Sequence, residues 1–254
     1  MSEVDGRDGD AFARVRAVDR AMEVLEFLAV RERPATLSEL SRELGVPKST
    51  LAGILRTLAA RGWLQEGQGG FTIGPRSLAV GSAYVSGDRV VAQSAPLLDA
   101  LLERLGETVH LACLDGHDVL YLAKRESAHP LRMFSAIGRR LPAHATALGK
   151  AMLAELSETD VEAVADGSLR ALTENTITSP DRLRDEIAET RGRGYAVDRG
   201  ENADGIWCFA VALPVGDAGS HAISVSIPLL RLTPELEQRA VTELVEARRR
   251  FGRR

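Results

Sequence analysis

The stretch TLSELSRELGVPKSTLAGILRTLAA, running from Thr36 to Ala60, decides how the N-terminal region folds. Thr36-Leu37-Ser38-Glu39 forms a capping box: the Thr36 hydroxyl accepts an orphan amide of the first turn, and the Glu39 carboxylate reaches back to the amide of the cap. A short helix therefore starts after Thr36. Leu37, Leu40 and Leu44 line one face of it, and Gly45 stands where a left-handed residue closes a helix. Pro47 suits the opening of a second helix, because its missing N–H would have found no intrahelical partner. From about Pro47 to Ala60, Leu51, Ile54, Leu55 and Leu58 fall at the spacing of a buried stripe, with Ser49, Gly53, Arg56 and Ala60 opposite.

Two short helices joined at a glycine turn, the second with small and cationic side chains outward, match a helix-turn-helix whose second helix enters the major groove of DNA. Trp63-Leu64-Gln65 and Phe71-Thr72-Ile73, joined through Gly67-Gln68-Gly69-Gly70, complete it as a wing. Between Leu44 and Arg76 the cations Lys48, Arg56, Arg61 and Arg76 face the single acid Glu66. Phosphate contacts need such a local excess. The expected DNA-facing set is Ser38, Lys48, Ser49, Thr50, Arg56, Thr57, Arg61 and Gln68, with Lys48 on phosphate.

The 254 residues carry a formal charge of -4, with 27% charged and 44% hydrophobic side chains, an ordinary globular composition. An acidic whole with one basic patch suits a protein that meets DNA over a small surface. Nothing approaches a membrane-spanning apolar run, and Met1-Ser2-Glu3-Val4-Asp5 lacks the order of a signal peptide, so the chain is expected to be cytoplasmic. Cys113 and Cys208 are the two cysteines, giving neither a disulfide framework nor a four-cysteine zinc site. No metal or cofactor is expected.

Residues 1–13, rich in Asp, Gly and Arg, are expected to form a disordered tail. Val18, Met22, Leu25 and Leu28 predict a first helix over Val15 to Val30, ended by Arg33-Pro34. A winged helix-turn-helix domain over 14–75 precedes linker and dimerisation helices over 76–105. Of these, one starts near Pro75, and a second, about Val90 to Leu105, should kink or restart at Pro96. The remaining 106–254 read as α+β with a mainly antiparallel sheet. Strands are expected at Thr108 to Leu114, Val119 to Ala123, Leu131 to Ile137, Tyr195 to Val197, Trp207 to Val215 and His221 to Ile227. Between them lie a loop at Gly138 to Pro142, a helix from near His144, and helices over Leu183 to Arg193 and Pro234 to Phe251.

Strand alternation puts Ile223, Val225 and Ile227 on one face and Ala222, Ser224 and Ser226 on the other. Likewise Cys208, Ala210 and Ala212 oppose Trp207, Phe209, Val211 and Leu213. Two small faces side by side leave room for a ligand, and the serine hydroxyls are suited to bond one. Equally, the serines can bond backbone and Cys208 can act as a small buried hydrophobe. A different class of function is a thiol enzyme built on Cys208, His144 and Asp198, although no nucleophile motif surrounds the cysteine.

Leu141-Pro142-Ala143-His144-Ala145-Thr146-Ala147-Leu148-Gly149-Lys150, Gly194-Tyr195-Ala196-Val197-Asp198, Gly205-Ile206-Trp207-Cys208-Phe209-Ala210 and Ser224-Val225-Ser226-Ile227-Pro228 resemble, with the N-terminal helices and wing, the isocitrate-lyase-regulator (IclR) family of bacterial transcription factors. The resemblance runs from about Val15 onward. It implies a winged helix-turn-helix, a linker helix and a C-terminal GAF-like effector domain. It also implies a homodimer or homotetramer on operator DNA, commonly a repressor of catabolic operons, answering to a small carboxylate or aromatic acid. The family's effector pocket maps onto Met133, Leu141, Ala147, Leu148, Asp198, Cys208, Ser224 and Ser226. Ala147 and Leu148 lie near a helix start, where free amides favour an anion. Two departures stand out. Leu51, Ala52 and Gly53 follow Lys-Ser-Thr where the family usually has valine, histidine and arginine, so base reading falls to Ser49, Thr50, Arg56 or Thr57. Arg199-Gly200-Glu201 replaces a more acidic run.

Overall fold

The structure, a computed structural model, describes residues 15–130, 135–215 and 220–252. The expected N-terminal tail and Met133 lie outside them. The chain divides into two compact units at Ala83/Tyr84.

In the first unit, α1 (Arg16–Ala29), α2 (Leu37–Glu43) and α3 (Lys48–Ala60) are followed by the strands β1 (Leu64–Gly67) and β2 (Gly70–Ile73). Both halves of the Thr36 and Glu39 capping box form: the Glu39 amide donates to the Thr36 hydroxyl over 3.2 Å, and the Thr36 amide donates to the Glu39 carboxylate over 2.9 Å. The cap amide and Arg33 hold that carboxyl down at about 2. Gly45 takes φ 63°, the left-handed geometry that turns the chain between the helices. In the wing, Gly67 pairs with Gly70, so the tip is the two residues Gln68-Gly69. Val24, Leu28, Ala35, Leu40, Leu51, Leu55 and Leu64 form the core. The stripe expected on α1 is out of phase. Val24 and Leu28 are buried with Leu25 packed beside them, whereas Val18 and Met22 are 51% and 53% exposed. The buried line runs Ala21, Val24, Leu25, Leu28, also a helical spacing, and tertiary contact selects it.

Helix α4 (Pro75–Gly87) spans the division and buries none of its residues. Asp88 caps α5 (Arg89–Leu105), accepting from the amides of Val90 and Val91, and its other oxygen lies 3.1 Å from His221 Nε2. Pro96 neither breaks nor restarts α5. It sits on the exposed side, and burial of Leu97, Leu98, Leu101 and Leu105, at about 1.5–3 kcal/mol each, outweighs the lost ladder bond.

The second unit is built on an antiparallel sheet of β3 (Thr108–Asp115), β4 (Asp118–Arg125), β5 (Arg140–Pro142), β6 (Ala196–Arg199), β7 (Ile206–Ala212) and β8 (His221–Pro228), in the order β5-β4-β3-β8-β7-β6. Strand β5 lies where a loop was expected. Of the strand expected over Leu131 to Ile137, residues 135–137 belong to no strand and the rest is outside the described residues. The helix expected near His144 starts later: Ala143–Ala145 is a single 3-10 turn, and α6 (Ala147–Leu153) follows, capped by Thr146. Helix α7 (Glu158–Ala165) was not legible, whereas α8 (Pro180–Arg193) and α9 (Pro234–Phe251) lie close to expectation.

The sheet has a core on each face. On one, Val109, Leu111, Phe209, Val211, Val225 and Ile227 pack with the leucines of α5 and with Leu244 and Phe251 of α9. On the other, Ala112, Tyr121, Cys208, Ala210 and Ala222 pack beneath α6, with α7 and α8 beyond. The strand faces therefore divide as the alternation predicts.

Candidate effector site and DNA-reading face

Ser38 of α2, Lys48, Ser49, Thr50, Arg56 and Thr57 of α3, Arg61 after it and Gln68 at the wing tip are all exposed. Two are partly engaged: the Arg56 Nε donates to the Ala52 carbonyl over 3.3 Å, and the Thr57 hydroxyl donates to the Gly53 carbonyl over 2.9 Å. The Arg56 terminal nitrogens stay available, while Thr57 spends its proton on its own helix. Small residues at Ala52 and Gly53 leave the middle of α3 without a long side chain, so its reach lies at Lys48 to Thr50 and at Arg56.

In the second unit, Leu141, Ala147, Leu148, Asp198, Cys208, Ser224 and Ser226 are all buried. Register explains why several of them meet. Asp198 stands opposite Cys208, which stands opposite Ser226, while Ser224 is flanked by Ala210 and by His110. The Cys208 thiol donates to the Ser226 hydroxyl over 3.2 Å. The carboxylate of Asp198 accepts the amides of Glu201 at 2.6 Å and Asn202 at 3.4 Å. Burial first, and then the charge of Glu201, raise this carboxyl to about 7.

Lys150, read as one more helix residue, proves central. It is wholly buried, donates to Glu201 over 2.6 Å and lies 3.4 Å from Glu186, which also pairs with Arg193 at 2.6 Å. Its charge acts on both Asp198 and Cys208. Part of the room above the small sheet faces is thus filled by an ammonium and its carboxylates. A lysine among Ala147, Leu148, Ala151, Met152 and Leu153 was the available signal, since a helix otherwise without a charged residue has no polar face to offer water. Gly149 makes the approach possible, because a Cβ there would fall 2.1 Å from the Ala143 carbonyl oxygen.

The anion site expected at the start of this helix is weaker than the sequence implies. Helix α6 is seven residues long, and the Thr146 hydroxyl already takes the Gly149 amide at 3.0 Å. The thiol-enzyme triad is not assembled. The ring Nε2 of His144 lies 3.2 Å from the Arg170 carbonyl, Asp198 bonds amides, and burial raises the Cys208 thiol far above its ordinary range. No nucleophile–base pair results. Among the described residues no group of three or more His, Cys, Asp or Glu is arranged to hold a metal, and no helix is long and apolar enough to cross a membrane.

Residues 17–67 match the IclR helix-turn-helix domain, and residues 82–252 match the bacterial transcriptional regulator IclR C-terminal domain. The chain is similar to the transcriptional repressor IclR of Escherichia coli (strain K12), with 34% identity over 235 residues that cover 89% of this chain and 84% of that protein. It is also 34% identical over 244 residues, 94% of this chain and 86% of that one, to the HTH-type transcriptional regulator BhcR of Paracoccus denitrificans. Among solved structures it resembles an IclR transcriptional regulator from Alicyclobacillus acidocaldarius, with a TM-score of 0.81 and 27% identity over 92% of this chain and 96% of that chain.

Proposed function

Since the chain belongs to the IclR family of bacterial transcriptional regulators and is a DNA-binding regulator of transcription, we propose that it represses a catabolic operon and that a small organic or aromatic acid alters its hold on the operator. One observation carries this reading. A single chain holds an exposed second helix of a helix-turn-helix and, in its other unit, a buried sheet face on which β7 and β8 present small side chains, Cys208, Ala210, Ala222, Ser224 and Ser226.

Ser49, Thr50 and Arg56 read base edges, with Ser38, Lys48, Thr57, Arg61 and Gln68 on backbone or at the rim. Ser224, Ser226, Cys208 and Asp198, with Leu141, Ala147, Leu148 and Met133, contact the effector. A raised Asp198 supports an acid as ligand, because a protonated carboxyl offers a hydrogen bond where a carboxylate would repel. The protein works in the cytoplasm as a homodimer or homotetramer. Leu78, Val80 and Tyr84 on α4, 74%, 56% and 55% exposed, support pairing with a second copy.

The deciding experiment titrates the protein onto its own upstream intergenic DNA and onto a scrambled duplex, across a salt series, with and without a panel of carboxylic acids. Preference for the native duplex, weakening with salt and shifting with one acid, supports the reading. Loss of preference across a wider operator search removes it. Ser224→Ala with Ser226→Ala should blunt the acid response and leave operator affinity intact; an unchanged response takes these serines out of the site.

A further inference from the structure

His110, in the middle of β3, is assigned no role by the reading above, yet it lies on the same sheet face as the effector residues. It stands directly opposite Ser224 across the β3–β8 ladder and is fully enclosed. Its ring meets Tyr121 edge-on, with centroids 5.0 Å apart and planes at 74°. The ring Nε2 lies 2.7 Å from the Ser135 hydroxyl, while Nδ1 is buried with no hydrogen-bond partner among the described residues. Burial, helped by the charge of Lys124, depresses the imidazole to about 3, so it is neutral across the working range.

A neutral imidazole gives Nδ1 one N–H where Nε2 accepts the Ser135 hydroxyl proton, and one lone pair where Nε2 donates to that hydroxyl. A carboxylate satisfies only the first, without the help of opposite charge. A hydroxyl satisfies both, since it donates and accepts. Leaving this nitrogen unmet in a closed interior is costly, and the edge-on Tyr121 and bonded Ser135 hold the ring in place.

We propose that the effector is a hydroxy acid and that His110 Nδ1 bonds its hydroxyl, next to Ser224. His110 is then the residue that tells hydroxylated acids from plain ones. The assignment rests on the effector reading above, and it is tested so that the two fail separately.

Binding of the full-length protein to lactate against propionate, and to 4-hydroxybenzoate against benzoate, is measured by calorimetry. The wild type should prefer the hydroxylated member of at least one pair by about tenfold or more, as expected when a buried polar group is left unmet. His110→Phe should bring that pair to within about twofold without weakening the plain acid. Should the phenylalanine variant not fold, His110→Leu takes its place, and the ¹⁵N resonance of the wild-type His110 Nδ1 gives a reading that needs no variant. That resonance should move with the hydroxylated acid and stay still with the plain one. A variant that keeps the preference, a resonance that ignores the hydroxyl, or wild-type binding of plain and hydroxylated acids alike overturns the role of His110 and leaves the effector reading standing. Failure of every acid to bind the wild type overturns both.

Discussion

Asp198, across from Cys208 on β7, and His110, across from Ser224 on β8, pull stability in opposite directions with pH. Folded Asp198 titrates at about 7 against an ordinary value of 3.8, so between those values the folded chain holds a proton that the unfolded chain releases. Its contribution is present in acid and is lost as pH rises towards 7. Folded His110 titrates at about 3 against 6.5, so its contribution is present above 6.5 and is lost as pH falls below it. The two are separated by substitution. Asn at 198 keeps an acceptor for the amides of Glu201 and Asn202 but cannot ionise, so the melting temperature of Asp198→Asn should rise relative to wild type between pH 5 and pH 7.5. Parallel melting curves over that range would show that Asp198 is not the titrating group. At the DNA face, Arg56→Ala removes an exposed side chain with one weak helical bond, so melting should be unaffected while operator affinity falls about tenfold, the usual weight of one good base or phosphate contact. Normal affinity in that variant would move the reading face elsewhere on α3.

At the scale of the element, α6 depends on charges that its sequence conceals. Removing one member of a buried ion pair leaves the other uncompensated, so Lys150→Met should cost about 3–5 kcal/mol in urea unfolding, and the double variant Lys150→Met with Glu201→Gln should recover much of it. Additive losses would mean that the pair does not act as a unit. Gly149→Ala should cost about 1–3 kcal/mol, because its methyl cannot coexist with the Ala143 carbonyl unless α6 lifts from the sheet. What was legible at this scale follows from the same physics. Helices α2, α3, α8 and α9 carried caps, prolines or glycines at their ends and a regular apolar stripe, and β7 and β8 carried clean alternation, so their faces were readable. Helix α7 offered only Val161, Val164 and Ala165, and β5 is three residues long, too little pattern for either. The phase of α1 failed because two overlapping stripes shared Leu25 and Leu28, and only tertiary packing chooses between them. Buried Lys150 was invisible for a different reason. A lysine is read as facing water unless its partners Glu186 and Glu201, far along the chain, are known to arrive.

Across the whole molecule, the regulator needs a link from the effector unit to the DNA unit, and the chain supplies it through α4. The proposed pairing of two copies through the exposed Leu78 and Val80 predicts that Leu78→Glu with Val80→Glu should shift the sedimentation mass towards the monomer and weaken binding to a two-half-site operator far more than to a single half-site. An unchanged mass would place the pairing surface elsewhere. At the far end of α4, Asp88 both caps α5 and holds His221, the first residue of the strand that carries Ser224 and Ser226. His221→Ala should therefore leave operator affinity and acid affinity within about twofold of wild type yet reduce the effect of one on the other, read as the ratio of operator Kd with and without acid. A preserved ratio would show that this clasp carries no coupling.

The sheet with a packed core on each face has one further consequence. It is a party wall, and a wall loaded from both sides cannot bow towards one room without taking space from the other. The effector proposed for the α6 side would therefore press on the core beneath α5, whose first turn is capped by Asp88 at the end of the linker. Such a device needs no lid and no visible travel: thickness itself becomes the message.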